Sequence, residues 1–321
     1  MPLIDKPLSE LLTYQGINPR PSDFDAYWNE ALRELDQIDP RVELMPSQTI
    51  TSRHAECFDL WFTGIGDARV HAKYLRPRNR QGKQPALLQF HGYTGNSGDW
   101  VEKLPYVAEG FCMAMLDCRG QGGLSEDNLQ IKGNTHYGHI IRGLDDPDPS
   151  RLLFRHIFLD TALLARIVMG FAEVDPQRVG AFGGSQGGAL TLACAALEPR
   201  IRLAAPVYPF LCDYQRVWEM DLCKDAYAEL RTFFRLFDPT HSREEEIFTR
   251  LGYIDVQFLA PRIRAKTLMA VGLMDTICPP SSQFAAYNKI TAPKELAVYP
   301  DFGHEGLPGH TDRTFQFLMG L

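Results

Sequence analysis

No two of the seven cysteines are spaced C-x-x-C; Cys57, Cys112, Cys118, Cys194, Cys212, Cys223 and Cys278 lie scattered along the chain. An odd, scattered set suits neither a disulfide framework nor a thiolate zinc site. Several of these cysteines sit in apolar runs, where a free thiol behaves as a small hydrophobe. No His/Asp/Glu cluster has metal-ligand spacing either, so neither a metal nor another cofactor is expected. No stretch approaches the ~20 apolar residues that span a bilayer, and the start, Met1-Pro2-Leu3-Ile4-Asp5-Lys6-Pro7, lacks the apolar core of a signal peptide. Basic clusters are missing, and the formal net charge of −7 disfavours nucleic acid as a partner. These absences lead to the expectation of a reduced, cytoplasmic, soluble protein bound to neither membrane nor nucleic acid.

What the 321 residues do contain, at 45% hydrophobic and 23% charged, is ordinary globular composition without repeats or low-complexity tracts. The most informative stretch runs from Arg178 to Pro199. Arg178-Val179-Gly180-Ala181-Phe182 reads as a buried strand, Gly183-Gly184-Ser185-Gln186-Gly187-Gly188 as a turn, and Ala189 to Leu197 as a helix of small residues. Strand, glycine-flanked serine and helix together make G-x-S-x-G a nucleophile elbow. The sharp turn leaves no room for side chains beside the serine, and Gly183 and Gly187 supply that room.

Around this stretch, apolar strands alternate with helical patterns, as in a doubly wound, mainly parallel α/β sheet. Residues 1–50 form an N-terminal arm. It includes an amphipathic helix after Pro21 with Phe24, Trp28, Ala31 and Leu35 on one face, expected to pack on the outside of the sheet. Ser22 and Asp25, like Ser242 and Glu245 later, have the spacing of helix caps. Ala55 to Arg76 alternates as a hairpin, and Ala86–Phe90, Phe111–Leu116, Arg202–Val207, Lys266–Leu273 and Glu295–Tyr299 read as strands. Leu152 to Phe171 is apolar enough to be a buried helix. The polar stretch Leu124–Ser150 is long for a connector and is expected to be functional or an interface. The aromatic-rich excursion 210–262 is too long for one crossover, and is expected to be a helical, cap-like insertion in a chain that otherwise forms one domain.

A serine hydroxyl needs a base, and the base an orienting acid. On hydrolase sheets these follow in the order Ser, acid, His, at strand ends. Of His241, His304 and His310, only His304 lies in a loop just past a strand, five positions after Tyr299. Asp275 follows the strand ending at Leu273 and is the expected acid. The backbone N–H groups of Gln186 and Tyr93 are the expected oxyanion donors, the latter from His91-Gly92-Tyr93-Thr94-Gly95, where His91 is expected to hold the loop. Pro209 or Phe210, just past a strand end, could line the acyl pocket.

Arg119-Gly120-Gln121, Gly183-x-Ser185-Gln186-Gly187 and His304-Glu305 together resemble the signatures of the acetyl xylan esterase / cephalosporin-C deacetylase family. Gly133-Asn134 and Gly138 to Gly143 look like the family's as well. The resemblance implies an α/β-hydrolase fold and a serine esterase. Its substrates would be the acetyl esters of short xylo-oligosaccharides and of cephalosporin C. Carried over are Ser185, Asp275 and His304 as triad and the Tyr93 and Gln186 amides as oxyanion hole; Arg119 and Gln121 are expected to be structural. It also implies self-association into a hexamer, a dimer of trimers, which would give Leu124–Ser150 an interface role. Rival readings are a broad short-chain carboxylesterase or an oligopeptidase-like serine hydrolase, with a non-catalytic binding protein on the same fold the weakest.

Overall fold

The apolar runs assemble into one nine-stranded sheet in the computed structural model, which describes residues 4–132 and 138–321. The strands are β1 (Glu43–Pro46), β2 (Ala55–Thr63), β3 (Arg69–Pro77), β4 (Gln84–Phe90), β5 (Cys112–Leu116), β6 (Val174–Gly184), β7 (Leu203–Val207), β8 (Lys266–Gly272) and β9 (Lys294–Tyr299). Their order is β1-β2-β3-β5-β4-β6-β7-β8-β9. The first three and the β3–β5 pair run antiparallel, and every pair from β5 onward is parallel. The edge strand β1 was not foreseen, because its four residues alternate too briefly to give a period.

The central strands β4 and β5 are buried almost throughout, as expected of strands covered on both faces. On one face lie α2 (Leu153–Gly170) and α3 (Gln186–Leu197). In α2 all but two of the residues are buried, and α3 is buried along its whole length. A helix this apolar on most of its circumference must be enclosed, and α2 is: the sheet lies beneath it and the arm helix α1 (Phe24–Asp36) above it. This corrects the placement of the arm. Trp28 stacks on Phe158 of α2 at 6.0 Å, and Phe24 meets Phe258 of the insertion at 5.8 Å, so the arm's helix packs on α2 and the insertion, while Glu43–Pro46 of the arm joins the sheet as β1.

The insertion contains α4 (Tyr214–Glu219), α5 (Ala228–Phe237) and α6 (Glu244–Leu251). The arm is tied to it by Asp213, which accepts the N–H groups of Ile17 and Asn18 and the Tyr14 hydroxyl. Neither pair with cap spacing caps its helix. The carboxylate of Asp25 is taken by Arg20 and Arg262, and Asp238 rather than Ser242 receives the N–H groups of Ser242 and Arg243 before α6. Two arginines, one just before the helix and one in the insertion, won in the first case and a nearer carboxylate in the second. The chain closes with α7 (Pro280–Lys289) and α8 (His310–Leu318).

One buried ion pair joins the hairpin, the loop after β5 and α2. Arg119, wholly buried, donates two hydrogen bonds to Asp160 at 2.6 and 2.8 Å and a third to the Ile65 carbonyl at 2.8 Å. Arg119→Met should cost about 3–5 kcal/mol, because it strands the Asp160 charge in the core. Pairing it with Asp160→Leu should recover most of that loss, as read from urea unfolding midpoints. Equal destabilisation of the single and double variants would contradict this.

Candidate active site

Ser185 sits between β6 and α3 with φ 58 and ψ −120, a conformation an L-residue holds only when its surroundings impose it. Added Cβ atoms on Gly183 and Gly187 would stand 2.5 and 2.1 Å from the Phe90 carbonyl oxygen, so only glycine lets the elbow approach β4 this closely. The turn is held further by the Ser185 N–H to Val207 and by the Phe210 N–H to Ser185.

The side chains expected to act together do meet. The Ser185 hydroxyl lies 2.9 Å from His304 Nε2, and His304 Nδ1 lies 2.8 Å from Asp275 Oδ2. Asp275 is fully buried. Its Oδ1 accepts the N–H groups of Ile277 and Cys278 at 2.9 and 2.8 Å, which leaves Oδ2 to hold the imidazole. The carboxylate therefore shapes the turn before Pro279 and orients the histidine at once. Glu305 takes no part in this contact; its carboxylate accepts the Gly303 N–H and braces the loop. His241, the other histidine weighed as base besides His310, stacks on Phe234 inside the insertion.

Gln186 opens α3, so its N–H has no carbonyl one turn back. Its side chain forms a reciprocal amide pair with Gln121: Gln121 Nε2 donates to Gln186 Oε1 at 2.7 Å and Gln186 Nε2 donates to Gln121 Oε1 at 3.0 Å. Gly120, at φ 64, turns the backbone between Arg119 and this pair. His91 lies behind the loop that carries Tyr93, its Nδ1 donating to Gly92 and its Nε2 accepting from the Cys118 N–H. Burial lowers the His91 pKa, in keeping with a neutral bridge. Tyr93 is anchored by its hydroxyl to Glu229 of α5, whose other oxygen accepts the Ile141 N–H at 3.1 Å.

A cavity of about 580 Å³ opens beside Ser185 and His304, and Tyr208, Phe182, Tyr106 and His310 are among the residues that line it. Pro209 and Phe210 do not; Phe210 turns away into a cluster with Tyr93 at 5.2 Å and Tyr227 at 4.4 Å, which corrects the pocket assignment. Gly133 and Asn134 lie outside the described residues.

Three residues near the site escaped the sequence. Tyr208 is the first residue after β7, at φ 33, with its ring 4.5 Å from the His304 ring, and its strand-end position could have flagged it. Cys278 is fully buried, and with Asp275 and His304 it brings ligand-type atoms within 4.8 Å of one another, a grouping that no spacing reveals. The Asp275 and His304 atoms of that group already bond each other. Burial, then the neighbouring Asp275, pushes the Cys278 thiol well above its ordinary pKa, so it packs as a neutral group. Glu229 gave no signal at all, being one acidic residue on an amphipathic helix.

The family model described as acetyl xylan esterase matches residues 1–321. The chain is 28% identical over 291 residues to an acetyl esterase of Xylanibacter ruminicola, covering 87% of this chain and 62% of that protein's length. It therefore spans less than two thirds of that curated relative. An acetyl xylan esterase structure from a Thermoanaerobacterium species superposes with a TM-score of 0.97 at 58% identity, covering 99% of both chains. A Paenibacillus acetyl xylan esterase follows at 0.93 and 36%, covering 98% of this chain and 99% of that one. The sheet order and these neighbours make the fold that of an α/β-hydrolase.

Burial, working against hydrogen bonds from Tyr93 and the 139–141 backbone, raises the Glu229 carboxyl from 4.5 to about 7. The unfolded chain loses this proton near 4.5 while the folded chain keeps it to about 7. The stabilisation is therefore complete below the lower value, is lost between the two, and levels off above. The slope is at most about 1.4 kcal/mol per pH unit. Melting wild type and Glu229→Gln in parallel from pH 5 to 8.5 should show the difference shifting against wild type up to about pH 7 and then holding constant. A difference independent of pH would contradict the assignment.

Proposed function

The chain belongs to the acetyl xylan esterase family, and from that membership we propose a serine esterase that removes acetyl groups through an acyl-enzyme. The observation that carries the reading is the unbroken run of hydrogen bonds from Ser185 through His304 to Asp275, at 2.9 and 2.8 Å. Ser185 Oγ attacks the acetyl carbonyl while His304 Nε2 takes its proton. Asp275 keeps the imidazole in the tautomer that presents Nε2 as acceptor and stabilises the imidazolium once formed. The oxyanion is received by the N–H groups of Gln186 and Tyr93. The Gln121–Gln186 amide pair and the Tyr93–Glu229 anchor support this role, because each ties one donor's residue to a separate part of the fold. His304 then gives its proton to the departing alcohol, and a water deprotonated by the same nitrogen releases acetate.

Acetylated xylo-oligosaccharides are the proposed substrates, in keeping with the names of the relatives. The resemblance of the three signatures extends the proposal to the acetyl ester of cephalosporin C and likewise supports a homohexameric assembly, while the seven unpaired cysteines support a cytoplasmic location. Ser185→Ala should lower kcat on p-nitrophenyl acetate by about four or more orders of magnitude while substrate still binds. Labelling by a fluorophosphonate probe should vanish in the same variant. Persistent turnover or labelling would overturn the assignment of Ser185.

A further inference from the structure

Two polar side chains reach the catalytic cavity with atoms that stay open to it. One is Tyr208, the first residue after β7. Its φ of 33 is a strained setting for a residue with a side chain, and the Tyr208 N–H, donating to the Ala270 carbonyl at 2.8 Å, holds it there. The turn lays the ring 4.5 Å from the His304 ring and against Gly184. A Cβ added to Gly184 would stand 3.3 Å from Tyr208 Cε2 and 3.6 Å from its hydroxyl oxygen, so this glycine of the elbow leaves room for the ring. The other is Gln89, near the end of the central strand β4. Alternation along the strand puts Leu88 and Phe90 on the face covered by α2 and α3, and Gln89 on the opposite face with Leu87. Across the sheet Gln89 is in register with Met115 and Phe182, and Phe182 with Ala205, so its amide is the one polar group in an apolar row.

Both side chains line the cavity that opens on Ser185 and His304. Neither makes a side-chain hydrogen bond among the described residues. Both are only partly buried, and neither supplies one of the polar atoms sealed from solvent without a partner, so a ligand in the cavity can touch the Tyr208 hydroxyl and the Gln89 amide. An amide in the apolar floor of a sheet forgoes hydrophobic burial and gains no bond from the protein. Its partner comes from what enters the cavity.

We propose that Tyr208 and Gln89 recognise hydroxyl groups on the alcohol half of the ester, a saccharide in this reading of the site as an acetyl esterase. The direction follows from the path of the proton. His304 Nε2 gives its proton to the departing alcohol, so that oxygen comes within hydrogen-bond reach of the imidazole, and Tyr208 is the ring beside the imidazole in the cavity. Burial, then the charge of Asp275, pushes the Tyr208 phenol above its ordinary pKa, so it stays a neutral donor. The Gln89 carboxamide both donates and accepts. Together they suit a neutral group bearing several hydroxyls, whereas a plain alkyl alcohol would leave both unpaired. The rings of Tyr106 and Phe182 add apolar faces suited to the carbon face of a pyranose ring. An acetyl group by itself would fill little of the roughly 580 Å³ available.

The test separates this subsite from the esterase reading on which it rests. 2-Hydroxyethyl acetate and propyl acetate share the acyl group and a similar shape, and differ in the leaving alcohol by one hydroxyl. Tyr208→Phe removes a single oxygen and keeps the ring beside His304. It should lower kcat/KM about fivefold further on 2-hydroxyethyl acetate than on propyl acetate, mainly through KM. In a Ser185→Ala background, calorimetric binding of xylobiose needs no turnover, and adding Tyr208→Phe or Gln89→Met should weaken it roughly tenfold. Equal losses on the two esters, as expected of a ring that only supports the imidazole, would overturn the subsite, and so would xylobiose binding unchanged by either substitution. Absence of turnover by the wild type on any ester would instead count against the esterase reading, and the binding arm would still decide the subsite.

Discussion

The approach of two glycines to one carbonyl governs the geometry of this molecule. Gly183 and Gly187 press the backbone against the Phe90 oxygen so closely that no other residue fits, and Ser185 is held between them at a positive φ. That posture lifts the hydroxyl clear of the sheet and places the first N–H groups of α3 beneath it. The same contact joins β6 to β4, the strand that leads into the loop carrying Tyr93. The elbow therefore sets the nucleophile and the spacing of the expected oxyanion donors in one step.

A second layer keeps that geometry in place. The motif residues Gln121 and Gln186, far apart in the chain, form a single reciprocal amide pair, and His91 bridges the loops on either side. Arg119 turns the other way and is spent on Asp160. Two of the three short motifs thus supply two interactions. The first steadies the residue after the serine, and the second fastens the loop after β5 to the helix behind the sheet. Replacing any of these groups by an apolar one leaves a buried partner unsatisfied, which is why the set behaves as a unit.

The insertion enters the same network from the far side. Glu229 reaches from α5 to Tyr93 and to the backbone at Ile141, while Asp213 gathers the N-terminal arm onto the insertion. Asp255 beneath it accepts the Asp213 N–H and is itself pushed up to about 7, by burial first and by Asp213 second. Glu229, Asp213 and Asp255 therefore act as hydrogen-bonding struts between segments, and in Glu229 and Asp255 burial favours the protonated form.

The elements that depend on local physics were legible in the residues alone. Apolar runs marked β4 through β9, a strongly apolar stretch marked α2, and the glycines around Ser185 marked the elbow, because backbone sterics and side-chain periodicity act within a few residues. The order Ser185, Asp275, His304 also followed from strand ends. Tertiary structure alone decided the rest. It seated the arm on α2, gave Asp25 to arginines instead of a helix end, turned Phe210 away from the cavity and Tyr208 toward it, and paired Gln121 with Gln186. It also buried His310 and Thr314 in the last helix with polar atoms that find no partner in the protein. Each of these outcomes is a competition among groups distant in sequence, and only packing brings the competitors within reach of one another.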